Sequence, residues 1–180
     1  MNQAGLQAVA SEPFILLLDA EVTDLDHFAA NHDMYLVSMY REPARAAAIW
    51  KERLQDAPVG SDGFLSLSYF GREMFAPSLW DEVMGIWYEI VDVIGQFVAQ
   101  GKGEALFPDQ PVEIRMSQQR GGAVFGIHEQ DFIVDPHLFV PGVLTEAEKF
   151  FEWVERYVND DRSDALSDIR AIREAWGARS

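Results

Sequence analysis

The stretch from Ala76 to Gln100 is the most strongly patterned segment of the sequence, and it constrains the fold more than any other. Apolar residues recur there every three or four positions, which traces one face of a long helix. They are Leu79, Val83, Ile86, Trp87, Ile90, Ile94, Phe97 and Val98. Pro77 predicts the first turn of this helix and Gly101 predicts its end. Asp81 and Glu82 then fall near its N-terminus, where acidic side chains favour the positive end of the helix dipole.

Segments with strand character lie on both sides of this helix. Residues 63–70 alternate between two faces, and three later runs are joined by short turns, as in an antiparallel meander. Two further strands are predicted nearer the N-terminus, one of them a buried apolar run after Pro13. Outside 63–70, the predicted strands are Phe14 to Asp19, Met34 to Tyr40, Val112 to Ser117, Ala123 to His128 and Phe132 to Asp135.

Four shorter segments have helical signals. A short helical turn is predicted at 24–31, and Pro43 predicts the first turn of a helix that continues to Leu54. A capping box at 145–148 predicts a helix to about residue 158, and Ser163 predicts the cap of a last helix. Since helices and strands segregate, we expect an α+β fold: a mostly antiparallel sheet of about five to six strands, packed by one long helix and two C-terminal helices.

The length of 180 residues and the mass of 20.3 kDa suit a single α+β domain spanning 1–180, with residues 1–12 as a flexible N-terminus. The chain has no cysteine, which excludes disulfides, thiolate nucleophiles and cysteine-based metal sites. The first twenty residues contain no Lys or Arg, and the apolar run at 14–18 is too short to span a bilayer. We therefore expect a cytoplasmic protein that is not inserted in a membrane.

Charge is the extreme feature of the composition. Thirty acidic residues against fourteen basic ones give a formal net charge of −16. Residues 1–33 hold six acids and no Lys or Arg, and residues 61–110 hold eight acids against two bases. Such a chain repels nucleic acid and attracts basic proteins, so direct nucleic-acid binding is not expected and a basic protein partner is. General solubility would also account for the charge.

No recognised catalytic or cofactor motif is present, so catalysis is not expected and no cofactor is predicted. There is no Gly-x-Ser-x-Gly elbow, dinucleotide fingerprint or phosphate loop. Two clusters are weak candidates for a metal site, because neutral imidazole and carboxylate together bind divalent metals. The first is His27 and His32 among Asp24, Asp26 and Asp33; the second contains His128, Asp131 and His137. Surface polar residues are the alternative interpretation of both.

Trp80 and Trp153 fall outside the main apolar stripes of their helices, which favours either a second core contact or an interface anchor. We predict an acidic, protein-binding inhibitor, such as an immunity or antagonist protein that blocks a basic nucleic-acid-acting enzyme or toxin. A small metal-dependent enzyme that uses a His/Asp/Glu cluster and a homo-oligomeric adaptor, for example a homodimer, are the alternatives. The predicted partner-binding residues are Asp19, Glu21, Asp24, Asp26, Asp33, Trp80, Trp153, Asp160, Asp161 and Asp164.

Overall fold

The structure, a computed structural model, describes residues 7–179. It has the predicted α+β fold with antiparallel pairing, a long helix and C-terminal helices. The strands form two sheets, however, and not the one sheet of five to six strands that the sequence predicts. The division arises because the long helix separates the N-terminal strands from the later meander in the chain.

The first sheet is built around β1 and β3, which pair along almost their whole length. The very short β2 covers only the C-terminal part of β1, and two further short strands pair with opposite ends of β3. Gly63 lets β3 approach β1 closely, because a Cβ at this position would lie 1.9 Å from the Phe14 carbonyl oxygen. The strands are β1 (Val9–Leu16), β2 (Leu36–Ser38), β3 (Asp62–Tyr69), β4 (Arg72–Glu73) and β5 (Asp81–Glu82).

Strand β1 begins earlier than the sequence predicts. Residues 9–12 were expected in a flexible N-terminus and instead form its first half; residues 1–6 lie outside the described residues. Pro13 faces β2 at the point where β2 ends. Its carbonyl accepts the Met39 N–H (2.9 Å), and its missing N–H is tolerated because no strand continues beside it there. Beyond that point, Ser11 donates its backbone N–H (3.0 Å) and its hydroxyl (2.6 Å) to Oε2 of the buried Glu146.

The second sheet is an antiparallel meander in the order of the sequence. The three predicted runs are confirmed as its last three strands. Its first strand was not predicted, because the segment is largely polar and forms an edge of the sheet directly after the long helix. The strands are β6 (Lys102–Leu106), β7 (Glu113–Gln119), β8 (Gly122–Ile127) and β9 (Gln130–Val134).

The long helix, α3 (Val83–Gln100), starts later than predicted. The segment Pro77–Leu79 is a short 3₁₀ turn, and Asp81 and Glu82 form β5 ahead of the helix, so they do not lie in its first turn. Pairing with β3 is the physical reason, because it holds this segment in an extended conformation. The predicted end is confirmed: Gly101 is the C-cap, with a left-handed φ of 76°.

Two of the shorter helices are as predicted, α1 (Leu25–Asn31) and α2 (Pro43–Arg53). The next, α4 (Pro136–Trp153), begins nine residues before the predicted capping box, because Asp135 accepts the N–H of His137 (2.9 Å) and caps the helix there. Thr145 is therefore inside α4, where its hydroxyl donates to the Pro141 carbonyl (2.8 Å).

The chain ends in two further helical segments. A π-helical turn at Val154–Val158 continues α4, and Asn159 ends it in a left-handed conformation. The last helix is α5 (Ser163–Gly177). Its N-cap is Arg162, and Ser163, the predicted cap, is the first helical residue, whose N–H is accepted by Asp161 (2.9 Å).

Helices α3 and α4 join the two sheets. Helix α3 lies against β6 and β7, α4 lies against β1, and α5 contacts both helices. Trp50 of α2 and Trp87 of α3 both contact the ring of Phe150 at centroid distances of 6.4 and 6.1 Å. The buried side chains form a hydrophobic cluster that reaches all of these elements. None of the helices in the described part of the chain combines the length and apolar character that crossing a bilayer requires.

Candidate functional site

A pocket of about 450 Å³ lies beside the N-terminus of α3. Four carboxylates contribute to its lining, and all four come from the acid-rich block at 61–110. Gly85 lets the loop after β6 pack against the start of α3. A Cβ at this position would lie 2.4 Å from the Pro108 ring and would push that loop away from the helix. The four carboxylates belong to Asp62, Asp81, Glu82 and Asp109.

Glu82 is the most perturbed acid of the pocket. It is the N-cap of α3, and its Oε2 accepts the N–H of Gly85 (2.6 Å). Its Oε1 is buried and has no hydrogen-bond partner among the described residues. Burial raises the pKa of Glu82 from 4.5 to about 7, and repulsion from Asp62 and Asp81 adds to the increase. The pocket therefore contains a carboxylate that lacks a full set of partners.

Asp81 organises the backbone around the pocket. Its Oδ1 accepts the N–H of Glu82 (2.7 Å) and its Oδ2 accepts the N–H of Asp109 (3.2 Å), which joins β5 to the loop after β6. Burial raises the pKa of Asp81, and the nearby Asp109 carboxylate opposes its ionisation further. Asp109 itself is exposed. One carboxylate thus fixes the pocket wall while another remains open to solvent.

Arg53 supplies the basic group of this region. Its Nε lies 3.7 Å from Asp62 Oδ2, too far for a hydrogen bond. Its terminal nitrogens donate to the carbonyls of Leu16 (2.6 Å), Gly60 (3.0 Å) and Asp62 (3.3 Å). Burial raises the pKa of Asp62 despite this arginine, with repulsion from Asp109 adding to the effect. Arg53 therefore holds the backbone together more than it neutralises the pocket.

The N-terminal acidic block reaches the same pocket through α1. Leu25, which lies between Asp24 and Asp26 in the sequence, is 53% exposed and lines the pocket. Half-buried Trp80 lines it as well, and its ring contacts the buried Phe28 of α1 at a centroid distance of 6.3 Å. The N-terminal acid-rich block therefore borders the pocket through Leu25, whereas the carboxylates that line the pocket all come from residues 61–110.

The other predicted contact residues of the N-terminal block are exposed on or near α1. Asp19 and Glu21 lie in the loop between β1 and α1, and Asp33 follows α1. Neither Asp19 nor Glu21 forms an ion pair with any Lys or Arg in residues 7–179, whereas Asp33 lies 3.6 Å from His32. One carboxylate oxygen of Asp24 is already engaged, because it caps α1 by accepting the His27 N–H (3.0 Å).

The C-terminal acids lie in a different setting. Asp160 pairs with Arg162, whose guanidinium also contacts the hydroxyl of Tyr88 (3.4 Å). Asp161 accepts the N–H of Ser163, and this hydrogen bond lowers the pKa of Asp161. Asp164 is exposed in the first turn of α5. Two of these three carboxylates are thus engaged in ordering the turn that leads into α5.

Trp153 is a core residue in this structure. It is 5% exposed, and its ring contacts Trp50 at 6.1 Å and Tyr157 at 5.5 Å. It contributes to the wall of a surface pocket with Tyr40 and Tyr157, but almost none of its side chain is exposed there. Of the two tryptophans that the sequence suggests as anchors, Trp80 is therefore the accessible one.

The histidines are dispersed. His27 shares a hydrogen bond with the Tyr35 hydroxyl (2.9 Å), and His128 lies in the exposed turn between β8 and β9. Asp131 pairs with Arg115 (2.7 Å), whereas His137 contacts the ring of Trp176 at the start of α4. Within residues 7–179, no three His, Asp or Glu side chains come close enough to hold a metal ion.

Four pocket acids were not predicted as site residues: Asp62, Asp81, Glu82 and Asp109. The sequence contains one signal for them, the excess of acids between 61 and 110. That signal does not reveal that β5 and the loop after β6 meet at the N-terminus of α3. The pairing of β5 with β3 and the hydrogen bond from the Asp109 N–H to Asp81 bring these distant positions together.

Comparisons with protein-family models, with curated proteins and with solved structures found no match to this chain. Any functional assignment therefore depends on the chemistry of the pocket and its surroundings. That chemistry is a concentration of carboxylates around a half-buried tryptophan.

Proposed function

We propose that this protein binds a basic protein partner through the acidic pocket and the acids of α1, and that it acts as an antagonist of a nucleic-acid-acting enzyme or toxin. The observation that carries the proposal is a pocket lined by four carboxylates, which α1 borders through Leu25. Enzymes that bind nucleic acid have basic clefts, and a preformed acidic surface can occupy such a cleft in place of phosphate.

Repulsion inside the pocket supports this role. Burial raises the pKa values of Asp62, Asp81 and Glu82, and repulsion from neighbouring carboxylates raises them further. A cationic group from a partner would relieve this repulsion, so complex formation gains from charges that are unfavourably placed in the free protein. Association would also be steered electrostatically and would slow as salt screens the charges.

The arginines of the chain leave this surface largely uncompensated. Arg53, the basic residue paired with a pocket carboxylate, has its terminal nitrogens engaged with three backbone carbonyls. Other arginines pair elsewhere: Arg41 with Glu12, Arg115 with Glu113 and Asp131. The acids of the loop before α1 therefore remain available to a partner.

The proposal is tested by affinity capture from host lysate with the full chain and two double variants. The test variant is Asp62→Asn with Asp109→Asn. The control is Glu152→Gln with Glu174→Gln, which removes the same charge from exposed positions on α4 and α5. Glu174 follows Ile172, which contacts Gly95 in the C-terminal half of α3, whereas the pocket is at the N-terminal end of that helix, which is about 27 Å long.

We expect the wild-type chain and the control to retain the same basic protein, and the test variant to retain much less of it. Adding the wild-type chain to the purified partner should reduce its activity on nucleic acid, and the inhibition should weaken as salt rises. If the captured proteins do not differ between the two double variants, or if the partner has no activity that the chain reduces, the proposal is wrong.

A further inference from the structure

We infer that the acidic pocket is a receptor for one arginine side chain of the partner, held between the pocket carboxylates and the Trp80 ring. This inference rests on the proposed function, because it assigns the chemical group that the proposed surface receives. It is carried by the unpartnered Oε1 of the buried Glu82, by the half-buried Trp80 and by the volume of the pocket.

Glu82 lines the pocket and is only 6% exposed, and its Oε1 has no donor within residues 7–179. Buried acceptors are nearly always satisfied, since leaving one without a donor destabilises the folded state. Oε1 is enclosed in the free protein, so a donor in the pocket would complete the hydrogen bonds of Glu82 after the carboxyl group turns toward the pocket. The other oxygen is already committed to the N–H of Gly85.

The shape and chemistry of the other walls select the donor. Asp62 is partly exposed and Asp109 is exposed, so both can accept hydrogen bonds from an incoming group. A guanidinium has five N–H donors in one plane, which can satisfy several carboxylates at once. Its flat face can also stack on an aromatic ring, and Trp80 is among the residues that line the pocket. A lysine ammonium is a compact point charge and uses this combination less well.

A metal ion fits the pocket poorly. No three acidic or histidine side chains among the described residues converge closely enough to coordinate one. The two carboxylate oxygens of Asp81 already accept backbone N–H groups, from Glu82 and from Asp109. A guanidinium reaches separated carboxylates through its spread donors, whereas a metal requires its ligands around one point.

Binding of a guanidinium should favour the ionised form of Glu82. The charged groups around Glu82 are Asp62 on β3, Asp81 on β5, Asp109 in the loop after β6, and Arg53 on α2, the ion-pair partner of Asp62. Because a cation and a proton compete for this group of carboxylates, the affinity of the pocket for a guanidinium should rise between about pH 6 and about pH 8.

The test uses the full chain and three small probes: N-acetyl-arginine amide, the lysine analogue, and the uncharged citrulline analogue. Binding is followed by NMR through the indole N–H resonance of Trp80, assigned with a Trp80→Phe variant. We expect the arginine probe to shift this resonance with a Kd of about 1 mM, a value typical of a single small contact. The citrulline probe should cause no shift, and the lysine probe should bind more weakly.

Glu82→Gln and Asp109→Asn should each weaken the arginine probe about tenfold, as expected for the loss of one charged hydrogen-bond acceptor. Glu174→Gln is the matched control and should bind as the wild type does. Glu82→Gln changes a buried residue and can alter stability. If thermal unfolding of Asp109→Asn matches that of the wild type, the weaker binding of the arginine probe to Asp109→Asn still tests the inference. Equal binding of the lysine and arginine probes, or displacement of the arginine probe by an equal concentration of Mg²⁺, would overturn the inference.

The two proposals can fail separately. If the arginine probe does not bind but capture of a basic partner still depends on Asp62 and Asp109, the inference that the pocket receives an arginine is wrong and the antagonist role stands. If the arginine probe binds as expected but capture does not depend on these residues, the pocket is an arginine site and the antagonist role is wrong.

Discussion

The acidic pocket and the turn before α5 contain the same kind of residue and use it in opposite ways. In the pocket, Glu82 is buried with one oxygen unpartnered, and its pKa is raised to about 7. In the turn, Asp161 is exposed and accepts a backbone N–H, which lowers its pKa, while Asp160 pairs with Arg162. The turn satisfies its charges internally, whereas the pocket leaves part of its charge without a partner.

The difference indicates which acidic region is suited to a ligand. A carboxylate that is already hydrogen-bonded to its own backbone offers a partner little, because binding would exchange one good contact for another. A carboxylate that is buried beside other carboxylates gains from any cation that approaches it. The prediction that residues 160–164 contact a partner therefore has less physical support than the same prediction for the acids near α1.

The largest expected effect separates the two regions by their response to pH. Since the pKa of Glu82 in the folded protein lies above its ordinary value of 4.5, the protonated form stabilises the fold. That stability is fully present below about pH 4.5 and is lost as pH rises through about 7. As pH rises from about 4.5 through about 7, the free energy of unfolding of Glu82→Gln should therefore increase by about 3 kcal/mol relative to that of the wild type.

Urea unfolding at about pH 5 and about pH 8 measures this change. The glutamine retains an oxygen that can accept the Gly85 N–H, so the cap of α3 should persist in the variant. If the free energies of unfolding of the wild type and of Glu82→Gln change in parallel over this range, the contrast with the C-terminal turn is lost.

The second expected effect concerns the counter-charge of the pocket. Arg53→Met leaves the carbonyls of Leu16, Gly60 and Asp62 without their donor, and it should reduce the free energy of unfolding by about 2 kcal/mol. Arg45→Met is the control, because the pair that Arg45 forms with Glu42 is exposed, and losing it should reduce the free energy of unfolding by less than about 0.5 kcal/mol. Equal losses in the two variants would mean that Arg53 does not order the region behind the pocket.

The smallest effect should have the opposite dependence on pH. The depressed pKa of Asp161 means that its ionised form stabilises the fold above the ordinary value of 3.8, and that this stability is lost as pH falls through the folded-state pKa. Asp161→Asn should therefore be less stable than the wild type at neutral pH and equal to it in acid. Thermal unfolding at both pH values measures the difference, with Glu174→Gln as a control of equal charge. A difference that grows in acid would contradict the assignment.

Much of the fold was predictable because its signals are local. The end of α3 depends on one glycine, the start of α2 on one proline, and the three strands after residue 112 on alternation with short turns. Local signals were wrong where another element overrides them. Pro77 marks a 3₁₀ turn and not the start of α3, because pairing of β5 with β3 holds the next residues extended.

The site was less predictable than the fold for the same reason. The sequence shows that acids are abundant at 61–110, but contacts between distant positions bring the carboxylates of the pocket together. Asp81 reaches the N–H of Asp109, twenty-eight positions away, and Asp62 lies opposite Glu82 in the first sheet. No spacing rule connects such positions, because the intervening helix and strand determine where they meet.

The carboxylate of Glu146 affects which kinds of contact another protein can make with the edge of β1. It occupies the place beside Ser11 where a longer β2 would have continued, and it satisfies an N–H that would otherwise be open for pairing. An unprotected strand margin invites a foreign chain to extend the sheet. With α4 covering this margin and Pro13 lacking a donor, the N-terminal half of β1 is closed to such an addition, and recognition at this side must use side chains instead of backbone.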